Sequence, residues 1–209
     1  MTEVSNVNGT LESPESAARA LWATRLAPVP SSRSAVLGGP TAEFLASTGL
    51  PTAFPFAGDN YRVCTDDELL APISAAGHDY LALMHHEAGW IFAIDTSSHE
   101  IWAVPTIPSL QNSPLFVNTD ITRFVAYAGY LNQLVPQCQE AHRQIPEEGE
   151  YSHMNRLIGL KDLIVLLEDA QRVLTGWDDR ALDGGWWLPE FEQWTVGTPG
   201  HGGLTIRLG

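Results

Sequence analysis

The sequence has little cysteine and little positive charge. Its 209 residues hold two cysteines, Cys64 and Cys138. They form no Cys-x-x-Cys pair and no zinc spacing, which excludes a disulfide-stapled or zinc-ribbon scaffold. Two reduced, partly buried thiols in a reducing compartment are the expectation. Eleven Lys and Arg stand against 25 Asp and Glu, for a net charge of −14. Such a chain is repelled by nucleic acid and by anionic lipid, which excludes both as partners. A basic protein partner would instead be drawn in over distance. Long apolar runs are missing as well. The strongest, at 163–167, falls far short of the roughly 20 residues a membrane-spanning helix needs. Residues 1–10 are polar, without the basic and apolar regions of a secretion signal. The reading is a cytoplasmic protein off the bilayer.

Motifs of catalysis are also lacking. There is no Gly-x-Ser-x-Gly elbow, no His-Glu-x-x-His pair and no Gly-rich loop followed by Lys-Ser/Thr. His85-His86-Glu87 invites a metal, but adjacent side chains on a strand point to opposite faces, so the two imidazoles cannot easily share one ion. A strand-end pair with one exposed His is the simpler reading. The expectation is a protein that is not an enzyme and takes no cofactor or metal.

What is present is core material: 44% hydrophobic residues, with seven Trp and seven Phe. A domain of this size buries about 70% of its unfolded surface. Ser13 and Pro14 open a first helix running to about Leu26. Residues 27–40 read as a Pro- and Gly-rich loop. A short helix at 41–48 is stopped by Gly49 and Pro51, and 52–56 look extended. Three strands follow at 79–85, 90–95 and 100–104, joined by tight polar turns, as in an antiparallel meander. A helix then begins with Asn118 or Thr119 as cap and Asp120 in its first turn. Ile121, Phe124, Val125, Ala128 and Leu131 lie on one face, and Pro136 stops it near Leu134. A second helix spans 156–174, with Leu157, Leu160, Leu163, Ile164 and Leu167 on one face and Gly176 at its end. Trp186, Trp187, Phe191 and Trp194 make a last aromatic segment. The fold class is α+β, a single domain with a central antiparallel sheet flanked by helices. Residues 1–35 form an N-terminal helix and loop, 36–194 the domain proper, and 195–209 a Gly-rich tail.

This order of elements resembles the SUKH superfamily of immunity proteins, in particular its fourth family. The resemblance is carried by Glu43-Phe44-Leu45 running into Gly49-Leu50-Pro51, by Gly89-Trp90 and the turn into Glu100-Ile101-Trp102-Ala103-Val104, by Phe116-Val117-Asn118-Thr119 followed by Ile121, Arg123-Phe124 and Tyr127, and by Asp183 through Trp186-Trp187. Asp120 departs from the family pattern, where a second small hydroxyl residue stands. The resemblance implies a SUKH-like fold. It also implies direct binding and neutralisation of a cognate bacterial protein toxin, often a nuclease or deaminase, without catalytic residues. The alternatives are a non-catalytic interaction module of the same fold and, behind it, a small hydrolase.

The acidic excess fits a basic toxin independently of the resemblance. Three acidic groups stand out: Asp66, Asp67 and Glu68; Glu147 and Glu148 with Glu150; Asp178, Asp179 and Asp183. Acidic clusters are commonly just solvated loops, but one facing a basic partner would make charge-assisted contacts. Trp186 is the candidate aromatic anchor. Trp186 and Trp187 are adjacent, so on a helix one of them should be half exposed.

Overall fold

The computed structural model describes residues 13–53, 61–107, 113–143, 152–183 and 185–187. Its strands are β1 (Leu26–Ala27), β2 (Leu50–Pro51), β3 (Tyr61–Val63), β4 (Pro72–Ala75), β5 (His78–His86), β6 (Trp90–Asp95), β7 (Ile101–Pro105) and β8 (Leu115–Asn118). Its helices are α1 (Pro14–Trp22), α2 (Ser31–Ser34), α3 (Gly39–Ser47), α4 (Ile121–Arg143) and α5 (Ser152–Trp177), with short 3₁₀ turns at Ala23–Arg25 and Asp179–Leu182.

Antiparallel pairing runs β5–β6–β7–β8, and β1 pairs separately with β2. At the free edge of β5, two short strands share one neighbour. β4 pairs with the first half of β5 and β3 with its last three residues. The side-chain period of two decides the faces. Trp90, Phe92 and Ile94 point to the helices with Ile101 and Ala103, while Ile91, Ala93, Trp102 and Val104 point away. A β-bulge between Ala82 and Met84 shifts this period, so that the consecutive Leu83 and Met84 both reach the core. Beyond the bulge, His85 faces outward and His86 inward, against Tyr61 and Trp186. Both histidines are half-buried rather than one being exposed.

The helices cover the inner face. Ile121, Phe124, Val125, Ala128 and Leu131 are buried as the spacing predicts, and Ala126 and Tyr127 are buried too. The first turns of α4 are therefore covered on more than one side, by the sheet, α1 and α5. Gly129 lets α1 approach: a Cβ there would stand 3.0 Å from the Leu21 Cβ. Trp22 uses that closeness to donate its indole N–H to the Val125 carbonyl at 2.8 Å.

Several boundaries differ from the sequence reading. α1 ends at Trp22, where Ala23 turns to φ +49°, instead of reaching Leu26. Residues 27–40 hold α2 and the start of α3. β3 and β4 fall between the segment at 52–56 and the strand at 79–85, where the sequence reading assigns no element. α4 does not stop before Pro136 but continues to Arg143. Pro136 is exposed, so its ring sits on the solvent side, and Gln137 Nε2 donates to the Gln133 carbonyl one turn back. α5 runs past Gly176 to Trp177. Neither Asn118 nor Thr119 caps α4. β8 extends through Asn118, so the cap falls to Asp120, whose Oδ1 accepts the Arg123 backbone N–H at 2.9 Å. Residues 54–56 of the expected extended segment, the side chains of Leu157 and Leu160, Phe191, Trp194 and the tail at 195–209 lie outside the described residues. No described helix is long and apolar enough to cross a membrane.

Candidate functional site

The acidic cluster Asp66-Asp67-Glu68 occupies the gap between β3 and β4. The chain leaves the sheet at Cys64, whose N–H bonds the Leu83 carbonyl, and returns at Leu70, whose N–H bonds the Ala82 carbonyl. The excursion therefore projects from the edge of the sheet beside the bulge in β5. Leu70 closes it in a left-handed conformation, φ +61°, which costs a side-chain-bearing residue about 1 kcal/mol.

Glu68 fastens the turn. Its Oε2 accepts Arg62 Nη1 at 2.7 Å, the Thr65 N–H at 2.9 Å and the Thr65 hydroxyl at 2.8 Å, and its Oε1 accepts Arg62 Nη2 at 3.0 Å. The Arg62 side chain first, then the Thr65 bonds, hold the Glu68 carboxyl far below its ordinary range, so it stays ionised at any physiological pH. Arg33 reaches from α2 to the Asp66 carbonyl. With the backbone pinned this way, the Asp66 and Asp67 side chains are exposed and make no hydrogen bond or ion pair among the described residues.

The outer face beside the turn carries a second set of groups. Arg62 and His85 are direct cross-strand partners, and Cys64 lies two residues from Arg62 on the same face. The His85 Nε2 stands 3.7 Å from Glu68 Oε1. Burial and then the Arg62 charge push the His85 imidazole below its ordinary value, with Glu68 pulling the other way. Burial raises the Cys64 thiol to about 11, and Cys138 likewise to about 11. Both are free thiols in the interior, and such thiols are poor nucleophiles at neutral pH.

The third acidic group sits at the opposite edge of the sheet, four strand spacings or about 19 Å away. There two of the expected contact residues are buried. Asp178 is 4% exposed and turned inward. Its carboxylate accepts Asn118 Nδ2 at 3.1 Å, the Thr119 N–H at 2.7 Å and the Thr119 hydroxyl at 2.9 Å. Trp186 is 7% exposed and Trp187 2%. Both can be buried because Trp186 stands in the bend that follows Gly185, whereas Trp187 is already helical, so the two do not share one helix turn. Trp186 N–H bonds the Phe116 carbonyl of β8, its indole donates to the Tyr61 hydroxyl at 3.3 Å, and the Trp187 indole donates to Asn118 Oδ1 at 2.9 Å. Asp179 and Asp183 remain exposed, beside Arg180, which is paired with Glu100 at 2.7 Å. Glu147 and Glu148 lie outside the described residues.

Nothing in the sequence announces Arg62, Thr65 or His85 as the frame of the acidic turn, because β3 is too short to show alternation. Asn118 and Asp178 are 60 residues apart, and only the fold joins them.

Residues 10–193 match the family model described as SUKH-4 immunity protein. The match includes α1 and ends beyond Trp187. No curated protein and no solved structure matches the chain.

Proposed function

Because the chain belongs to the SUKH-4 immunity protein family, we propose that it binds a cognate bacterial protein toxin directly and neutralises it in the cytoplasm. The family match is the observation that carries this reading. The toxin is proposed to be basic, a nuclease or deaminase, because the net charge of −14 favours association with a positive surface made for phosphates. The Asp66–Asp67 pair is the proposed point of contact, with Asp179 and Asp183 as a second, separate patch. Asp66 and Asp67 combine exposure with a backbone already fixed by Glu68, Arg62 and Arg33, so little ordering entropy is lost on binding. Neutralisation by occupation of a surface requires no catalytic residue.

The test is a pull-down from the chain's own strain with low- and high-salt washes, followed by co-expression of the captured protein with and without this chain. The expected result is one basic, toxic protein released by salt, whose toxicity this chain suppresses. Charge reversal in D66K/D67K should slow association about 10-fold or more at low salt and flatten the salt dependence. Failure to suppress the toxicity of any captured protein counts against the function. An unchanged salt slope in D66K/D67K removes this turn from the interface.

A further inference from the structure

The donors at the root of the acidic turn have the composition of a metal site. Cys64, Glu68 and His85 each bring one donor atom to a common point, all within 4.8 Å of one another. Cys64 stands at the root of the turn, Glu68 lies within it and His85 is on the neighbouring strand β5, so the fold joins the turn to β5 at this point. A tetrahedral zinc site with bonds of about 2.0–2.3 Å has neighbouring donors about 3.3–3.8 Å apart. The His85–Glu68 separation of 3.7 Å already meets that. The 4.8 Å limit leaves about 1 Å to be closed by side-chain rotation.

The individual donors fit as well. His85 Nε2 is buried and has no hydrogen-bond partner among the described residues. Such an orphaned atom is unfavourable, and it is relieved by a ligand that accepts its lone pair. Glu68 Oε2 is saturated by three donors, but Oε1 receives only Arg62 Nη2. Oε1, the oxygen that faces His85, therefore keeps a free lone pair. Cys64 is buried and forms no disulfide. The Arg62 charge beside the site is matched by the Glu68 carboxylate it grips, so the cation meets a locally neutral pair and a thiol.

We propose that Cys64 Sγ, His85 and Glu68 Oε1 bind a thiophilic divalent cation of the Zn²⁺ class, with water in the fourth position. Binding replaces the thiol proton by the metal and releases that proton to solvent. The ion ties the acidic turn to the bulged part of β5 and stiffens the sheet edge. This inference is independent of the toxin-binding reading.

The test titrates the full chain, stripped with chelator, with Co²⁺ and then Zn²⁺. One equivalent of Co²⁺ should give a thiolate charge-transfer band in the near ultraviolet, and Zn²⁺ should bleach it and raise the melting temperature. Cys64→Ser should abolish the band. Loss of an outer partner lowers metal affinity about 10–100-fold, so loss of a direct ligand should exceed that in Cys64→Ser and in His85→Ala. Cys138→Ala should behave as the unaltered chain. Circular dichroism checks the folding of each variant, and half-buried His85 supplies the readout if Cys64→Ser does not fold. Absence of the band, or zinc uptake unchanged in His85→Ala, overturns the assignment.

Discussion

Replacing Asp178 by Ala should damage the fold, although an aspartate in a polar loop ordinarily tolerates the change. The carboxylate is 4% exposed and holds three donors from the junction of β8 and α4. A hydrogen bond to a charged group contributes about 1.5–3 kcal/mol, and the three do not simply add. Truncation also leaves the Asn118 amide and the Thr119 N–H without their acceptor. A loss of about 3–5 kcal/mol follows. At about 2–4 °C per kcal/mol for a chain of this length, the melting temperature should fall by about 6–20 °C. Asp178→Asn keeps the volume but places an amide donor among donors, and should lose about 2 kcal/mol. Asp179→Ala, one residue on and exposed, should stay within about 0.5 kcal/mol. Urea unfolding followed by tryptophan fluorescence measures all three. A double-mutant cycle with Asn118→Ala should show coupling above about 1 kcal/mol. If Asp178→Ala costs less than about 1 kcal/mol, or no more than Asp179→Ala, the carboxylate does not hold the junction and the reasoning fails.

Two further outcomes are expected. Gly49 turns from α3 into β2 at φ +86°, and a Cβ there would overlap the Ala27 carbonyl, so Gly49→Ala should lose about 2–4 kcal/mol in chemical denaturation. Asp95 is buried at the end of β6. Burial raises its carboxyl, but Ser97, Ser98 and His78 more than offset that and leave it below its ordinary value. Its stabilisation is therefore full above about pH 4, the unfolded value, and is lost as pH falls through the lower folded value. Asp95→Asn should cost about 2–3 kcal/mol at pH 7, and the gap to the unaltered chain should narrow below about pH 4. A gap independent of pH would show that the charge is not what stabilises the turn.

The sequence announces an element where its period is uninterrupted. β6 shows as an unbroken β-rich run of six residues between two turn signals. The face of α4 shows in Ile121, Phe124, Val125, Ala128 and Leu131. The elements missed are those that tertiary packing decides. β3 and β4 are short, and they are strands only because β5 is long enough to pair with both. Pro136 would end an isolated helix, but α4 is clamped between α1 and α5 and carries the proline on its wet side. Trp186 and Trp187 are both buried, against the expectation for neighbours on one helix, because Trp186 still lies in the bend after Gly185 where Trp187 is already helical. The acidic turn was legible as a cluster, whereas its frame of Arg62, Thr65 and His85 depends on register that no local signal carries. For Asp178, composition points outward and the fold points inward.

The gap between β3 and β4 has an engineering consequence. The two ends of the excursion are anchored on neighbouring carbonyls, those of Leu83 and Ala82. Its length is therefore uncoupled from the pairing of the flanking strands. Doubling a loop held at both ends costs only about 0.6 kcal/mol of closure entropy. A different segment could be spliced between Cys64 and Leu70 while the strands on either side keep their register. The edge is thus a graft port, where a new sequence can be displayed without redesigning the scaffold.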